Sequence, residues 1–275
     1  MSGKERDGKS KADQHNTRGI ELADRGWVDE AIKEFRKAID LDPDGAHAHD
    51  NLATVLAEKK QYKEALSEYL TALRLEPESA TAHYNLACFL STHAGDMSVE
   101  QYKEAIELDP DYADAHLNLG MTYADLDRRD EAKSELQIAI NIDPQDPVAR
   151  HELAALHMDD GDYRAAIALL NDVTRLEPQN HEAWLDLGIC YAQKGFYEEA
   201  ERCYGKAREL QPDDLLLNYN VAALYALWGK PAMALGALKI ALEKDPVKVR
   251  AWLAADPMFD SIKSVPEFEQ LVALQ

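Results

Sequence analysis

The sequence is poor in cysteine and has no long apolar run, and each shortage excludes a class of protein. Three cysteines occur in 275 residues, and none of them forms a CxxC pair. This usage is typical of a reducing compartment, with each thiol acting as a small packing residue. No apolar run approaches the ~18 residues of a membrane span. The first residues, MSGKERDGKSKADQ, lack the apolar stretch of a secretory signal. We therefore expect a cytoplasmic protein that does not enter a membrane.

Basic residues are also scarce. The chain has 30 Lys and Arg against 51 Asp and Glu, for a formal net charge of −21. Nucleic acids and anionic membranes bind through basic patches, so we expect neither as a partner. An acidic surface favours basic partners instead. The sequence also lacks a Gly-rich phosphate loop, a nucleophile elbow and an HExxH motif. We therefore expect no enzyme activity, no cofactor and no metal.

What the chain does contain is a repeat. Short D/E/Q-P phrases recur at spacings of 34, 33, 34, 34, 34 and 34 residues, and they end at Pro43, Pro77, Pro110, Pro144, Pro178, Pro212 and Pro246. The clearest unit runs from Trp184 to Pro212, WLDLGICYAQKGFYEEAERCYGKARELQP, with the pattern W-x2-L-G-x2-Y, then A-x3-Y, then P. From about Ala12 to Pro246 the chain resembles the tetratricopeptide repeat family.

This resemblance implies an all-α fold, a right-handed superhelical solenoid of about seven helix-turn-helix repeats with a C-terminal helical cap. We place the repeats at residues 12–45, 46–79, 80–112, 113–146, 147–180, 181–214 and 215–246. Residues 1–11 contain almost nothing to bury, so we expect them to be disordered. Residues 247–275 are the predicted capping helices. Their DPMFDSIKSVPEFEQLVALQ stretch resembles the DPxF…PxF ending of many bacterial tetratricopeptide proteins. It would pack Phe259, Ile262, Phe268 and Leu271 on repeat seven.

We number each repeat so that its terminal proline is position 32. Helix A then covers positions 1–14, a turn lies near 15, and helix B covers 18–31. Gly19 stands at position 8, where a Cβ would push the two helices apart. Lys60 replaces the turn glycine, which is tolerable if that turn avoids positive φ. Repeat three is one residue short around HAGDMSVEQ, so we expect an altered turn and a shorter helix B. This shortening is either a neutral deletion or a bend or partner contact.

Histidine recurs at position 4, as His15, His49, His83 and His116. Neighbouring repeats lie ~9–10 Å apart, too far for these side chains to share a zinc ion. They are either half-buried fillers or a pH-sensitive surface.

By resemblance, positions 2, 5, 6, 9, 12 and 13 line a concave groove. Asn51, Asn85 and Asn118 at position 6 resemble the asparagine ladder of O-linked N-acetylglucosamine transferases, which holds the backbone of an extended peptide. The alternative is that Asn-Leu is common family background. The groove positions contain ten acidic residues and no Lys or Arg. Tyrosines beside asparagines are candidate anchors for a peptide side chain. In repeat seven the alternative is that the C-terminal tail buries them. The candidate peptide-binding residues are Asn51, Asn85, Asn118, Asn220, Asp50, Tyr84, Asp114, Glu152, Asp186 and Tyr219.

We therefore predict a non-enzymatic scaffold that binds an extended, basic peptide of a partner protein. Two alternatives stay open. One is a homo-oligomer in which the convex face, or the N-terminal segment with Lys4, Arg6, Lys9 and Lys11, packs on a neighbour. The other is a regulatory or adaptor subunit of a larger enzyme complex.

Overall fold

The protein is described here by a computed structural model that covers residues 3–91 and 95–273. Within those ranges the chain forms sixteen α-helices and one 3₁₀ helix, with no strand. In chain order the helices are α1 Gly3–Asp24, α2 Val28–Leu41, α3 Ala46–Glu58, α4 Tyr62–Leu75, α5 Ala80–Ser91, α6 Gly95–Leu108, α7 Ala113–Asp125, α8 Arg129–Ile142, α9 Pro147–Asp159, α10 Tyr163–Leu176, α11 His181–Gln193, α12 Tyr197–Leu210, α13 Leu215–Leu227, α14 Pro231–Lys244, α15 Pro246–Ala255, the 3₁₀ helix Pro257–Phe259 and α16 Pro266–Ala273.

The helices pair into hairpins with the predicted period. A typical pair is α3 and α4, which occupies positions 1–13 and 17–30 of its repeat, within a residue of the predicted bounds. An all-α array of helix-turn-helix repeats is therefore confirmed. Among the described residues, no helix is both long enough and apolar enough to cross a bilayer.

Close approach of helices A and B explains the small residues at position 8. A Cβ built on Gly19 would lie 2.4 Å from Cε1 of Phe35, and one on Gly188 would lie 2.4 Å from Cε1 of Tyr204. Both distances are shorter than carbon atoms tolerate, so glycine makes room for the aromatic ring at position 24. The small residue and the ring opposite it form one packing unit of the hairpin.

The chain divides into two compact units, Met1–Asp143 and Pro144–Gln275, which we call the N-unit and the C-unit. The N-unit contains α1–α8. In its core Phe35, Leu52, Leu56 and Tyr69 are among the buried side chains. The C-unit contains α9–α16. Its last described part, residues 247–273, is called the C-terminal segment.

The C-terminal segment packs on repeat seven. Phe259, Ile262 and Phe268 are buried in one cluster with residues of α13 and α14, and Leu271 is partly buried against it. Helix α13 is apolar on nearly all sides because this segment covers a face that an internal repeat would place against its next neighbour.

The first helix starts earlier than the sequence predicts. Helix α1 begins at Gly3, within the segment 1–11 that was expected to be disordered. Residues 1 and 2 of that segment lie outside the described residues. The first side chain described as buried is Ala12, which is where burial was predicted to begin. A helix anchored by packing can propagate into a polar segment without further burial, because each added residue gains one backbone hydrogen bond.

The turn at Lys60 does not meet the condition of avoiding positive φ. Lys60 has φ +60° and Asp127, at the same position, has φ +57°. Gly26, Gly161 and Gly195 take this left-handed conformation at position 15 of their repeats. The turn geometry closes helix A through the hydrogen bond from Gln61 N to Leu56 O, and it is kept even where a side chain makes it costly.

The prediction for helix B of repeat three is wrong. Helix α6 has 14 residues, as many as α4 and α8, and it occupies the same positions counted back from Pro110. The missing residue is therefore taken up before Gly95, since the buried face of α6 must keep its register. Ser98 fills the position-20 slot and is fully buried, with its hydroxyl donating to Gly95 O. The predicted altered turn involves residues 92–94, which lie outside the described residues.

Candidate peptide-binding surface

In the N-unit, the position-6 asparagines link neighbouring A helices. Asn51 Nδ2 donates to Asn16 Oδ1 at 3.0 Å. Asn85 Nδ2 donates to Asp50 Oδ2 at 2.5 Å, and Asn118 Nδ2 donates to Tyr84 OH at 2.8 Å. Each bond joins position 6 of one repeat to position 5 of the repeat before it. We call this row of contacts the amide seam.

The amide seam uses part of each carboxamide and leaves part of it available. An asparagine side chain has two N–H donors and one carbonyl oxygen, and the seam bond uses one donor. Asn51, Asn85 and Asn118 are each half-buried. They can therefore hold the helices together and still offer one donor and one acceptor to a peptide backbone.

The acidic residues of the N-unit surface are not equivalent. Asp50 Oδ1 is buried, and none of the described residues forms a hydrogen bond with it. Burial raises the pKa of Asp50 to about 6, although the hydrogen bond from Asn85 acts in the opposite direction. Asp114 is exposed on α7. Asp114 is therefore accessible to a ligand, whereas Asp50 is partly buried and gives up its charge in mild acid.

Tyr84 belongs to an aromatic cluster beside the amide seam. Its ring centroid lies 4.8 Å from that of Tyr112 and 6.0 Å from that of Tyr102. Tyr102 OH donates to Cys88 Sγ at 3.4 Å. Burial raises the pKa of Tyr84, so the phenol stays neutral and accepts from Asn118. The cluster gives the surface of repeat three an aromatic wall.

In the C-unit, a charged pair takes the place of an amide contact. His151 Nε2 lies 2.9 Å from Asp186 Oδ2, again joining position 5 to position 6 of the next repeat. The hydrogen bond to Asp186 raises the pKa of His151 above its usual range against the effect of burial, and the charges of Asp186, Glu152 and Glu182 add to it. When His151 is protonated, it offsets part of the acidity expected from Asp186. Glu152 is half-buried on α9 near this pair.

Tyr219 and Asn220 are far less accessible than the sequence suggested. They are 5% and 8% exposed, respectively. Tyr219 OH donates to Asp256 Oδ2 at 2.7 Å, and its ring lies 5.0 Å from that of Trp252. Asn220 Nδ2 is buried and has no hydrogen-bond partner within the described part of the chain. Tyr219 therefore lies buried against Trp252 and Asp256, in line with the alternative of burial by the C-terminal tail.

The position-4 histidines make polar contacts that the sequence did not lead us to expect. Nε2 of His49, His83 and His116 lies 3.1, 3.1 and 3.2 Å from the carbonyl oxygens of Pro43, Pro77 and Pro110, respectively. Nδ1 of His49 and His116 lies 2.6 Å from Oε2 of Glu68 and Glu135. In repeat three Gln101 takes the carboxylate's place, at 2.9 Å. We call each arrangement a histidine clamp. A sequence signal was available, since an acid or glutamine follows each histidine at 19 residues, or 18 in the short repeat.

Comparisons with known proteins identify the family. Sequence models described as tetratricopeptide repeat match residues 113–146 and 157–227, and one described as TPR repeat matches 19–60, 54–88 and 96–127. Together they cover more than two thirds of the chain. This protein belongs to the tetratricopeptide repeat family.

Solved structures agree with the fold. PilF of Pseudomonas aeruginosa superposes with a TM-score of 0.69 at 22% identity, covering 76% of this chain and 96% of that one. YrrB, described as a TPR protein with an unusual peptide-binding site, has a TM-score of 0.57 at 26% identity, covering 66% and 95%.

Curated relatives match over shorter stretches. Superkiller protein 3 of Schizosaccharomyces pombe is 30% identical over 86 residues, which is 31% of this chain and 6% of that protein. The auxiliary subunit NAA15 of the N-terminal acetyltransferase A complex of Arabidopsis thaliana is 31% identical over 87 residues, or 10% of its length. Tetratricopeptide repeats are protein interaction modules, so this chain is a scaffold for protein–protein interaction.

Proposed function

We propose that this chain is a non-enzymatic scaffold that binds an extended, basic segment of a partner protein along the A-helix surface of its repeats. The observation that carries this proposal is the amide seam in the N-unit. Its layers repeat at the spacing of the A helices, ~9–10 Å, which is about three residues of extended peptide. Each layer offers a carboxamide whose remaining donor and acceptor match a peptide group whatever its side chain.

Charge supports a basic ligand. The groove positions contain no Lys or Arg, and Asp114 stands exposed among them. Exposed ion pairs each contribute only ~0.2–1 kcal/mol, so the affinity would be a sum over many contacts and would fall with salt. The peptide-binding site named in the description of YrrB is consistent with a peptide ligand for this fold.

The test is fluorescence anisotropy with a labelled peptide of alternating lysine and glycine and a matched peptide of glutamate and glycine. We expect binding of the lysine peptide in low salt, weaker binding in high salt, and no binding of the glutamate peptide. The double variant Asn85→Ala/Asn118→Ala should bind the lysine peptide more weakly than the parent does. Asp114→Asn should reduce the affinity for that peptide by a smaller factor. Equal binding of both peptides, or an Asn85→Ala/Asn118→Ala variant as tight as the parent, would refute the proposal.

A second candidate is an adaptor subunit of an enzyme complex. It is favoured by the relatives, of which Superkiller complex protein 3 and the NAA15 auxiliary subunit are described as members of complexes. Affinity purification followed by mass spectrometry tests it. Repeated recovery of one catalytic protein, lost in the Asn85→Ala/Asn118→Ala variant, would support the adaptor role; recovery of no enzyme would exclude it.

A further inference from the structure

A cavity of about 490 Å³ opens between α13 and α15 in the C-unit, lined among others by Leu216, Tyr219, Asn220, Trp252 and Asp256. We propose that this cavity takes one uncharged apolar side chain of a bound peptide, together with the backbone amide of that residue. The proposal rests on the peptide-binding function proposed above and adds a discrete side-chain pocket to it. We call it the anchor pocket.

The walls of the anchor pocket are apolar and partly open. Leu216 is 43% exposed although it is the second residue of a helix whose other large side chains are mostly buried. Trp252 meets Tyr219 edge-on. The cavity is a shallow depression open to solvent, so a leucine or tryptophan side chain would lie against its walls. Aromatic and aliphatic walls of this kind hold the anchor residues of protein–peptide interfaces.

Asn220 gives the anchor pocket its polar partner. In the amide seam, position 6 donates to an acceptor at position 5 of the preceding repeat. For Asn220, position 5 of the preceding repeat is Leu185, whose buried side chain offers no acceptor. Asn220 is consequently 8% exposed, and its Nδ2 has no partner among the described residues while the side chain lines the cavity. Since a carboxamide can present either its donor or its acceptor, it matches the amide of an incoming peptide residue.

Charge narrows the class of occupant. Asp256 lines the cavity, and its two oxygens already accept from Tyr219 OH and from Met258 N. No Lys, Arg or His is found among the described residues that line the cavity. Lys248 Nζ lies 5.1 Å from the Trp252 ring centroid, outside that lining. A carboxylate would therefore meet Asp256 without a cation in the wall, which disfavours an acidic occupant. The apolar side chains of Leu216, Trp252 and Pro257 favour an uncharged one.

The test uses N-acetyl-tryptophan amide as the probe on the full chain, followed by ¹⁵N NMR. The indole N–H signal of Trp252 is assigned by its loss in Trp252→Phe. We expect the probe to shift the Trp252 indole and Asn220 side-chain signals. Two control compounds should bind at least about tenfold more weakly than the probe: N-acetyl-tryptophan, which carries a carboxylate, and N-acetyl-glycine amide, which lacks the side chain.

Two variants separate binding from folding. Leu216→Glu should weaken binding of the probe about tenfold. Met233→Glu, at a residue that is 46% exposed on α14 and away from the cavity, should leave that binding unchanged. Asn220→Leu should weaken binding but raise the melting temperature, because it removes an unpartnered buried amide. A purely structural Asn220 would not give that combination.

The pocket is disproved if the probe shifts neither signal, or if Leu216→Glu and Asn220→Leu bind it as the parent does. Because the probe is uncharged, its binding does not depend on the acidic surface. If the chain binds the lysine peptide but not the probe, the proposed function stands and the anchor pocket is refuted. If the chain binds only the probe, the pocket stands and the proposed binding of basic peptides is refuted.

Discussion

Asp50 shows how one residue of the surface can act both in structure and in recognition. One of its oxygens accepts from Asn85, and the other is buried with no partner in the described part of the chain. A carboxylate in that environment is costly, which is why its pKa is raised from 3.8 to about 6. The sequence identified Asp50 as a charge on the surface but contained no information about its burial, which depends on the neighbouring helix.

Asp50 should make the stability of the N-unit pH-dependent. Because its pKa is higher folded than unfolded, the folded state binds the proton more tightly. Stability therefore rises as pH falls from about 6 to about 4, and the penalty is fully present above pH 6. Asp50→Asn should stabilise the protein at pH 7.5 by about 2 kcal/mol and flatten this slope. Chemical denaturation at pH 4.5, 6 and 7.5 measures it.

Asn16 and Asn51 show that two carboxamides pair at this seam position, so the Asp50→Asn variant would keep the bond from Asn85. Asp114→Asn, on an exposed carboxylate, is the control and should change stability by less than about 0.5 kcal/mol. A parent-like pH slope in Asp50→Asn would contradict the assignment.

Lys60 carries the second prediction at the scale of one residue. Its φ of +60° costs a side chain about 1 kcal/mol, and glycine avoids that cost. Lys60→Gly should therefore raise stability by about 1 kcal/mol, and Asp127→Gly by a similar amount. Thermal melts followed by circular dichroism suffice. Lys63→Gly, in the first turn of α4, should instead destabilise, and a loss of stability in both Lys60→Gly and Lys63→Gly would refute the strain argument.

Helix pairs are the elements that the sequence predicts best. The proline spacing and the apolar periodicity place α3 and α4 within a residue. The shortened repeat was harder, because one missing residue has two ways of being accommodated and only the packing of Tyr102 and Ala105 selects between them. These two side chains are buried, so α6 keeps its length and register.

The histidine clamp works at this scale, because it joins three elements. His49 on α3 contacts Glu68 on α4 and the Pro43 carbonyl that follows α2. Both ring nitrogens face acceptor oxygens, so the ring is held from two sides. The sequence suggested only a filler or a pH-sensitive surface here, since the recurrence of histidine at position 4 does not by itself reveal the partner on helix B.

His49→Phe should fill the same space and lose both hydrogen bonds. We expect a loss of about 2 kcal/mol, because a buried bond to a carboxylate is worth about 1.5–3 kcal/mol. His47→Phe, two residues earlier and exposed, is the matched control and should be within about 0.5 kcal/mol of the parent. Urea denaturation at pH 6 measures both. If the two variants lose equally, the clamp has no special role.

At the scale of the whole chain, the repeat array needs its C-terminal segment. Phe259, Ile262 and Phe268 cover apolar residues of α13 and α14 that no further repeat covers in the described part of the chain. The sequence predicted this packing from the resemblance of residues 256–275 to the DPxF…PxF ending. It left open whether Tyr219 would be a groove anchor or be buried by the C-terminal residues, and it did not predict that Asn220 would lack a partner, because that outcome depends on packing.

A chain that ends at Asp256 should lose this cover. Each buried aromatic or aliphatic side chain is worth about 1.5–3 kcal/mol, so the C-unit should lose at least several kcal/mol of stability. Hydrogen exchange read by mass spectrometry should show lost protection in α13 and α14, with α1–α4 unchanged because repeats contact their neighbours. Phe259→Ala should reproduce part of the effect. Unchanged protection of α13 would refute the capping role.

The amide seam also bears on how such an array can diversify. In successive layers the asparagine Nδ2 donates to three kinds of acceptor: the amide oxygen of Asn16, the carboxylate of Asp50 and the phenol oxygen of Tyr84. Position 5 can therefore mutate among neutral, acidic and aromatic residues without breaking the contact between repeats. Duplicated repeats start with identical surfaces, and this tolerance lets selection change the ligand chemistry of one layer while its neighbours stay docked. Leu185 offers no acceptor to Asn220, and Asn220 lines the pocket between α13 and α15.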